Sequence, residues 1–96
     1  MRRTIPFREW LDSLKDRRAQ AKVDIRINKM RAGNLGDTKP VGKGVHELRI
    51  DYGPGYRVYY ANEDSAIVVL LCGGDKRKQD KDIKATQEYW ADYKRR

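Results

Sequence analysis

Val45-His46-Glu47-Leu48-Arg49-Ile50-Asp51, then Tyr52-Gly53-Pro54-Gly55, then Tyr56-Arg57-Val58-Tyr59-Tyr60, is the stretch that decides the fold. Apolar and polar residues alternate on both sides of a Gly-Pro-Gly turn, which is the period-two pattern of two hairpin strands. Leu48 and Ile50 share an inward face with Tyr56, Val58 and Tyr60, while Glu47, Arg49 and Asp51 face outward with Arg57 and Tyr59. Since apolar positions are even-numbered in both strands, paired residues must sum to an even number. A sum of 106, centred on Gly53, sets Arg49 opposite Arg57 and Glu47 opposite Tyr59. Like charges directly across a ladder cost ~0.2–1 kcal/mol. An anion held between the two guanidiniums relieves that repulsion, and phosphate suits their planar forks. Neutralisation by Glu47 and Asp51 in a solvated salt-bridge lattice is the plainer alternative.

Outward from the hairpin on its N-terminal side, residues 33–44 hold four glycines and Pro40, the composition of a loop. Before it, Arg17 to Arg31 reads as a helix with Ala19, Val23, Ile27 and Met30 on its inward stripe. The opposite side carries Arg18, Lys22, Arg26 and Lys29, either a solvated face or a track for nucleic-acid phosphates. A shorter helix follows Pro6, with Phe7, Trp10, Leu11 and Leu14 at helical spacing, Thr4 as a cap and Asp16 as the break. Residues 1–4 are too few for a full strand but could extend onto a sheet edge.

On the C-terminal side, Asn62-Glu63-Asp64 reads as a turn. Ala66 to Cys72 is a continuous apolar run, the mark of a central strand covered on much of both faces. Gly73-Gly74 stops it, and Asp75-Lys76-Arg77-Lys78 makes a charged connection to a helix from about Gln79. That helix carries Ile83, Thr86, Trp90 and Tyr93 on one side. The order is α-α-β-β-β-α, an α+β fold with two N-terminal helices packed on a small antiparallel sheet and a C-terminal helix. The charged connection emerges beside the Arg57 end of the hairpin, so sheet face and loop form one concave basic surface. Cations at a helix N-terminus oppose the macrodipole, whereas a phosphate there meets both side chains and free backbone N–H groups.

Composition sets the outer limits. Ninety-six residues (1–96) suit one small domain. The 22 Lys+Arg against 14 Asp+Glu give a net charge of +8, making a polyanion or an acidic protein the default partner. No apolar run approaches the ~20 residues a bilayer span requires, and no hydrophobic signal core follows the basic N-terminus. A cytoplasmic protein without membrane contact is expected. Lone Cys72 excludes an internal disulfide and a multi-cysteine metal site, and lone His46 excludes a histidine-rich zinc cage. No metal or cofactor is expected.

Several residues admit two readings. His46 fits a structural or rim position better than a catalytic one. Tyr59 could stack on a base, a contact worth about 1–3 kcal/mol on single strands, or stiffen the sheet across the ladder. Tyr52 at the turn is equally open. Trp10 and Trp90 sit on apolar helical stripes as core residues, and Cys72 reads as a small buried hydrophobe.

The segment Glu47 to Tyr60, followed by Leu70-Leu71-Cys72-Gly73-Gly74-Asp75-Lys76, resembles the RelE/ParE superfamily of bacterial toxins. It looks closest to the addiction-module killer proteins, a HigB-like branch. The resemblance extends back through Phe7 to Asp16 and Gly33 to Asp37, nearly the whole chain. It implies a type II toxin neutralised by a cognate antitoxin, which represses its own promoter DNA through the antitoxin's DNA-binding domain. RelE-like members enter the ribosome and cut messenger RNA by attack of a ribose 2′-OH on the adjacent phosphodiester. By position, Arg57 matches an arginine that contacts the scissile phosphate, Arg49 matches a lysine, and Lys76 and Arg77 lie where another basic residue falls. Lys78, Lys22, Arg26, Lys29 and Tyr59 are then RNA-contacting candidates. Glu47 stands where RelE-like enzymes carry a second lysine, and Ile83 or a neighbour replaces a tyrosine. Those departures leave Glu47 or Asp75 as candidate proton acceptors. The alternatives are a ParE-like inhibitor of DNA gyrase without enzymatic activity, and a basic RNA-binding module without cleavage.

Overall fold

The computed structural model describes residues 1–64 and 67–96. Five strands form one sheet, β1 (Arg2–Arg3), β2 (Thr38–Gly42), β3 (Val45–Ile50), β4 (Tyr56–Asn62) and β5 (Val68–Asp75), in the order β1-β5-β4-β3-β2. Helices α1 (Ile5–Ser13) and α2 (Arg17–Arg31) precede β2, and a 3₁₀ turn (Lys76–Lys78) leads into α3 (Gln79–Arg95). The α+β architecture agrees with the sequence reading, with two strands added at the edges.

The starts of α1 and α2 are built by side-chain caps. Thr4 Oγ1 accepts from Phe7 N at 3.2 Å, opening α1, and donates to the Leu71 carbonyl at 2.6 Å, which ties the helix to β5. Asp16 caps α2 by accepting from Arg18 N at 2.9 Å. Its carboxylate also accepts from the Tyr52 hydroxyl at 3.0 Å, and that bond holds the Asp16 carboxyl below the usual carboxylate range. Phe7, Val23, Ile27 and Met30 from these helices pack against Leu48, Ile50, Val58, Tyr60 and Leu70. Each large apolar side chain so enclosed contributes about 1.5–3 kcal/mol.

The hairpin register is the expected one: Arg49 pairs with Arg57, Glu47 with Tyr59 and Leu48 with Val58. Residues 33–44 are not all loop, however. Thr38–Gly42 forms edge strand β2 against β3, with Thr38 opposite Leu48. Pro40 is tolerated there because an edge strand needs only one row of its N–H groups. Arg2–Arg3 pairs in parallel with β5 at the other edge.

The central strand begins at Val68; Ala66, where the sequence reading starts it, lies outside the described residues. Asn62, read as part of a turn, closes β4. Gly73 and Gly74 do not stop β5, which runs on to Asp75. Their role is close approach from opposite sides. A Cβ on Gly73 would sit 2.2 Å from Trp10 Cε3, and one on Gly74 would sit 2.0 Å from Asp82 Oδ2. A register shift between Tyr59 and Tyr60 puts one extra residue, Leu71, in β5. Consecutive Leu71 and Cys72 therefore both pack on the α3 side with Val69, while Leu70 packs with the α1/α2 layer. Since the Trp10 ring cannot withdraw from its place between Phe7 and Tyr56 without repacking, Gly73→Ala is expected to lower stability by about 1–3 kcal/mol. Urea unfolding checks this, with a shifted midpoint at unchanged slope.

The largest departure concerns the face read as outward. Trp90 of α3 packs on Val45, Tyr59, Ala61, Val69 and Leu71, so the sheet is covered on both sides. Glu47 and Tyr59 have no exposed surface. Among the described residues no helix is long and apolar enough to cross a membrane.

Candidate functional site

The end of the sheet beside the hairpin turn is open to solvent as a groove. There β3 delivers Arg49, β4 delivers Arg57, and β5 ends where the 3₁₀ turn delivers Lys76. The backbone N–H of Lys76 donates to the Gly55 carbonyl at 2.9 Å, pinning that turn against the hairpin. Gly55 adopts φ of 82°, and a Cβ there would lie 3.2 Å from Arg57 Nη1 and 3.6 Å from Lys76 Cβ. The absent side chain lets both cations close on the turn. A groove of about 460 Å³ results, lined by Asp37, Arg49, Asp51, Arg57, Lys76 and the Gly53-Pro54-Gly55 turn.

Glu47 lies beneath this groove. Its Oε1 accepts from Arg49 Nε at 2.9 Å and stands 3.6 Å from Arg57 Nε, while its Oε2 accepts from Gln79 Nε2 at 2.8 Å. One carboxylate thus hydrogen-bonds Arg49 and the first residue of α3 and forms an ion pair with Arg57, whose buried Nε has no hydrogen-bond partner. The bond from Glu47 raises the Arg49 pKa above its ordinary value. Repulsion across the Arg49–Arg57 pair is therefore met from below by a buried carboxylate. Arg57 is 8% exposed, and the Arg49 side chain is 36% exposed, so the pair presents cationic edges to the groove without being free to swing.

Each candidate from the sequence now has a place. Arg49, Arg57 and Lys76 come together as expected. Glu47 is near them but sealed from solvent, which contradicts its reading as a proton acceptor that touches substrate. Asp75 caps the 3₁₀ turn: its carboxylate accepts from Arg77 N at 2.9 Å and from Arg77 Nη2 at 3.1 Å. The Arg77 side chain holds the Asp75 carboxyl low. With Lys76 N and Arg77 N both engaged, the turn does not offer the free N–H groups expected of it. Arg77 and Lys78 are exposed and line an adjoining hollow of about 360 Å³ at the start of α3.

Tyr59 is a correction. Buried under α3 with its hydroxyl unpartnered, it cannot stack on a base. Burial, with the Glu47 and Asp82 carboxylates nearby, pushes its phenol well above the usual range. Arg26 also differs from its expected role, because its guanidinium donates to the Arg49 carbonyl at 2.6 Å and the Leu35 carbonyl at 3.2 Å. It braces β3 to the loop after α2. Lys22 and Lys29 remain exposed beside it, lining a separate hollow with Ile25, Ile50 and Asp51. His46 stacks on Tyr60 at 5.2 Å between ring centroids, on the face away from the groove.

From the sequence Asp51 is a possible counter-charge to the arginines, and neither it nor Asp37 nor Asp82 is a site candidate. Only their placement distinguishes them from the other carboxylates of a charged chain. Asp82 lies over Gly74, with a buried and unpartnered Oδ2, and burial raises its pKa. A carboxyl raised on folding keeps its stability below the unfolded pKa of about 3.9 and loses it as pH climbs through the raised value. Asp82→Asn is therefore expected to raise the melting temperature at neutral pH, with the gain vanishing in acid. Thermal unfolding of both proteins at pH 3 and pH 7 (roughly, either side of that window) checks the sign.

A small α+β protein with a cation-lined groove at one end of its sheet is the class defined by these features. The chain belongs to the family described as Phage derived protein Gp49-like (DUF891), which matches residues 9–89. This is a RelE/HigB-type toxin family, associated with toxin–antitoxin systems, and membership implies an antitoxin partner. The chain is also 56% identical over 81 residues to an uncharacterized protein of Haemophilus influenzae, covering 84% of this chain and 82% of that protein. No solved structure matches the chain.

Proposed function

We propose that this chain is a HigB-like toxin acting as a ribosome-dependent messenger RNA endonuclease. The observation that carries the reading is the convergence of Arg49, Arg57 and Lys76 on one groove, with the two arginines ion-paired to a shared carboxylate. Phosphodiester cleavage by a ribose 2′-OH builds negative charge on the phosphorane oxygens. Fixed cations aimed at that charge are what such a step requires, since they stabilise the transition state without reorganising.

In this reading Arg57 and Arg49 hold the non-bridging oxygens, and Lys76 protonates the departing 5′ oxygen. Glu47 is a positioning residue that acts through the arginines. Arg77 and Lys78 extend the cationic track from the groove toward α3, and Lys22 and Lys29 supply further phosphate contacts on α2. Such contacts make ribosome affinity fall with salt. An acidic antitoxin segment laid over the groove neutralises the toxin, and the pair represses its promoter through the antitoxin's DNA-binding domain.

Inducing the chain alone and mapping message ends by primer extension tests this. Codon-phased cuts in ribosome-bound messages support the proposal. Intact messages accompanied by DNA damage assign the protein to gyrase inhibition, and intact messages and DNA with bound RNA assign it to a binding module.

A further inference from the structure

Phosphodiester cleavage of the kind proposed above needs an acceptor for the 2′-OH proton, and the inference that follows rests on that reading. Glu47 is enclosed and holds Arg49 and Gln79, and Asp75 is committed to Arg77. On the groove wall itself stand two other carboxylates, Asp37 and Asp51. They differ in what surrounds them. The Asp37 carbonyl accepts from Arg49 N at 2.9 Å, which ties its backbone to β3, while its carboxylate, like that of Asp51, has no hydrogen-bond or ion-pair partner among the described residues. Asp51 is the residue after the end of β3, exposed at the groove mouth, and among the described residues its carboxylate has no hydrogen-bond or ion-pair partner. It also borders the Lys22–Lys29 hollow, so it stands on the ridge between two cationic surfaces.

We infer that Asp51 is the catalytic proton acceptor of the groove. A single-stranded message that lies across the hairpin turn passes this carboxylate beside the arginines. One Asp51 oxygen takes the proton from the ribose 2′-OH. The freed oxygen attacks phosphorus, the bond from phosphorus to the 5′ oxygen breaks, and the 5′ oxygen takes a proton from Lys76. The products are a 2′,3′-cyclic phosphate and a 5′-hydroxyl, with the proton on Asp51 returned to solvent and the one lost by Lys76 regained from it. An unpaired, solvent-facing carboxylate suits this duty because it can exchange its proton every turnover.

The test uses the full chain on ribosomes programmed with a defined message, comparing the parent with Asp51→Asn and Asp51→Glu in single-turnover cleavage. Loss of a general base typically costs about 10²–10⁴-fold, and that is the loss expected for Asp51→Asn. Removing an anion from a cationic groove leaves ribosome binding as tight or tighter, so the loss falls on the rate and not on affinity. Asp51→Glu restores part of the rate. Cleavage by Asp51→Asn within about threefold of the parent overturns the assignment while leaving the nuclease reading intact. The same holds if Asp37→Asn carries the loss instead. A message left uncut by the parent protein overturns both.

Discussion

Arg57→Ala is expected to cut message cleavage by about 100- to 1,000-fold, the usual cost of deleting one fixed donor to a developing oxyanion. The loss should appear in the rate at saturating ribosomes and only weakly in binding, because Arg49, Lys76, Arg77 and Lys78 still supply phosphate contacts. Folding should survive. Glu47 keeps its bonds from Arg49 at 2.9 Å and from Gln79 at 2.8 Å, so its buried charge is not abandoned. Arg57→Lys is expected to recover only part of the activity, since an ammonium cannot present the planar two-point fork of a guanidinium. Single-turnover cleavage on programmed ribosomes, with growth arrest on induction as a second readout, checks these outcomes. An alanine variant that cleaves like the parent removes Arg57 from the site.

Glu47 carries the second large effect, and it is an effect on stability. Breaking a buried ion pair by deleting one partner costs about 3–5 kcal/mol, because the remaining charge stays desolvated. Here Arg49 is 36% exposed and can take up water, which places Glu47→Gln near the lower end of that range. At ~4–8 °C per kcal/mol for a domain of this size, the melting temperature should fall by roughly 12–24 °C. Glu47→Ala should be worse, since it also opens a void beneath Arg57 and releases the Gln79 bond that seats α3. Thermal unfolding separates this account from a catalytic one. A proton acceptor replaced by its isosteric amide would lose cleavage while melting like the parent; an anchor loses stability first.

The β3–β4 register was legible from parity alone because two alternating strands around a Gly-Pro-Gly turn permit few alignments. That parity places Arg49 opposite Arg57, as the structure has it. The caps at Thr4 and Asp16 were legible for the same local reason. What was not legible depends on contacts between distant segments. β2 contains Pro40 and lies among four glycines, so its composition reads as a loop, and only pairing with β3 makes it a strand. Gly73 and Gly74 look like a stop until Trp10 and Asp82 are seen pressed against them from either side. The burial of Glu47 and Tyr59 has a signal in the sequence. An apolar run through Val69, Leu70 and Leu71 implies cover on both faces, and α3 with Ile83, Thr86 and Trp90 was the element available to supply it. From period two alone, the face carrying Glu47 and Tyr59 could only look solvated. Lys76 and Arg77 were placed near the arginines by chain order. The unpaired state of Asp51 could come only from the packing.

The proposed cleavage depends on one phosphodiester being gripped between Arg49 and Arg57. Its most direct test is the chemistry of the ends left on a ribosome-bound message by the purified chain. A 2′,3′-cyclic phosphate on the upstream fragment and a 5′-hydroxyl downstream, absent with Arg57→Ala, is the predicted result. A message recovered whole after incubation with folded, ribosome-bound protein would contradict it.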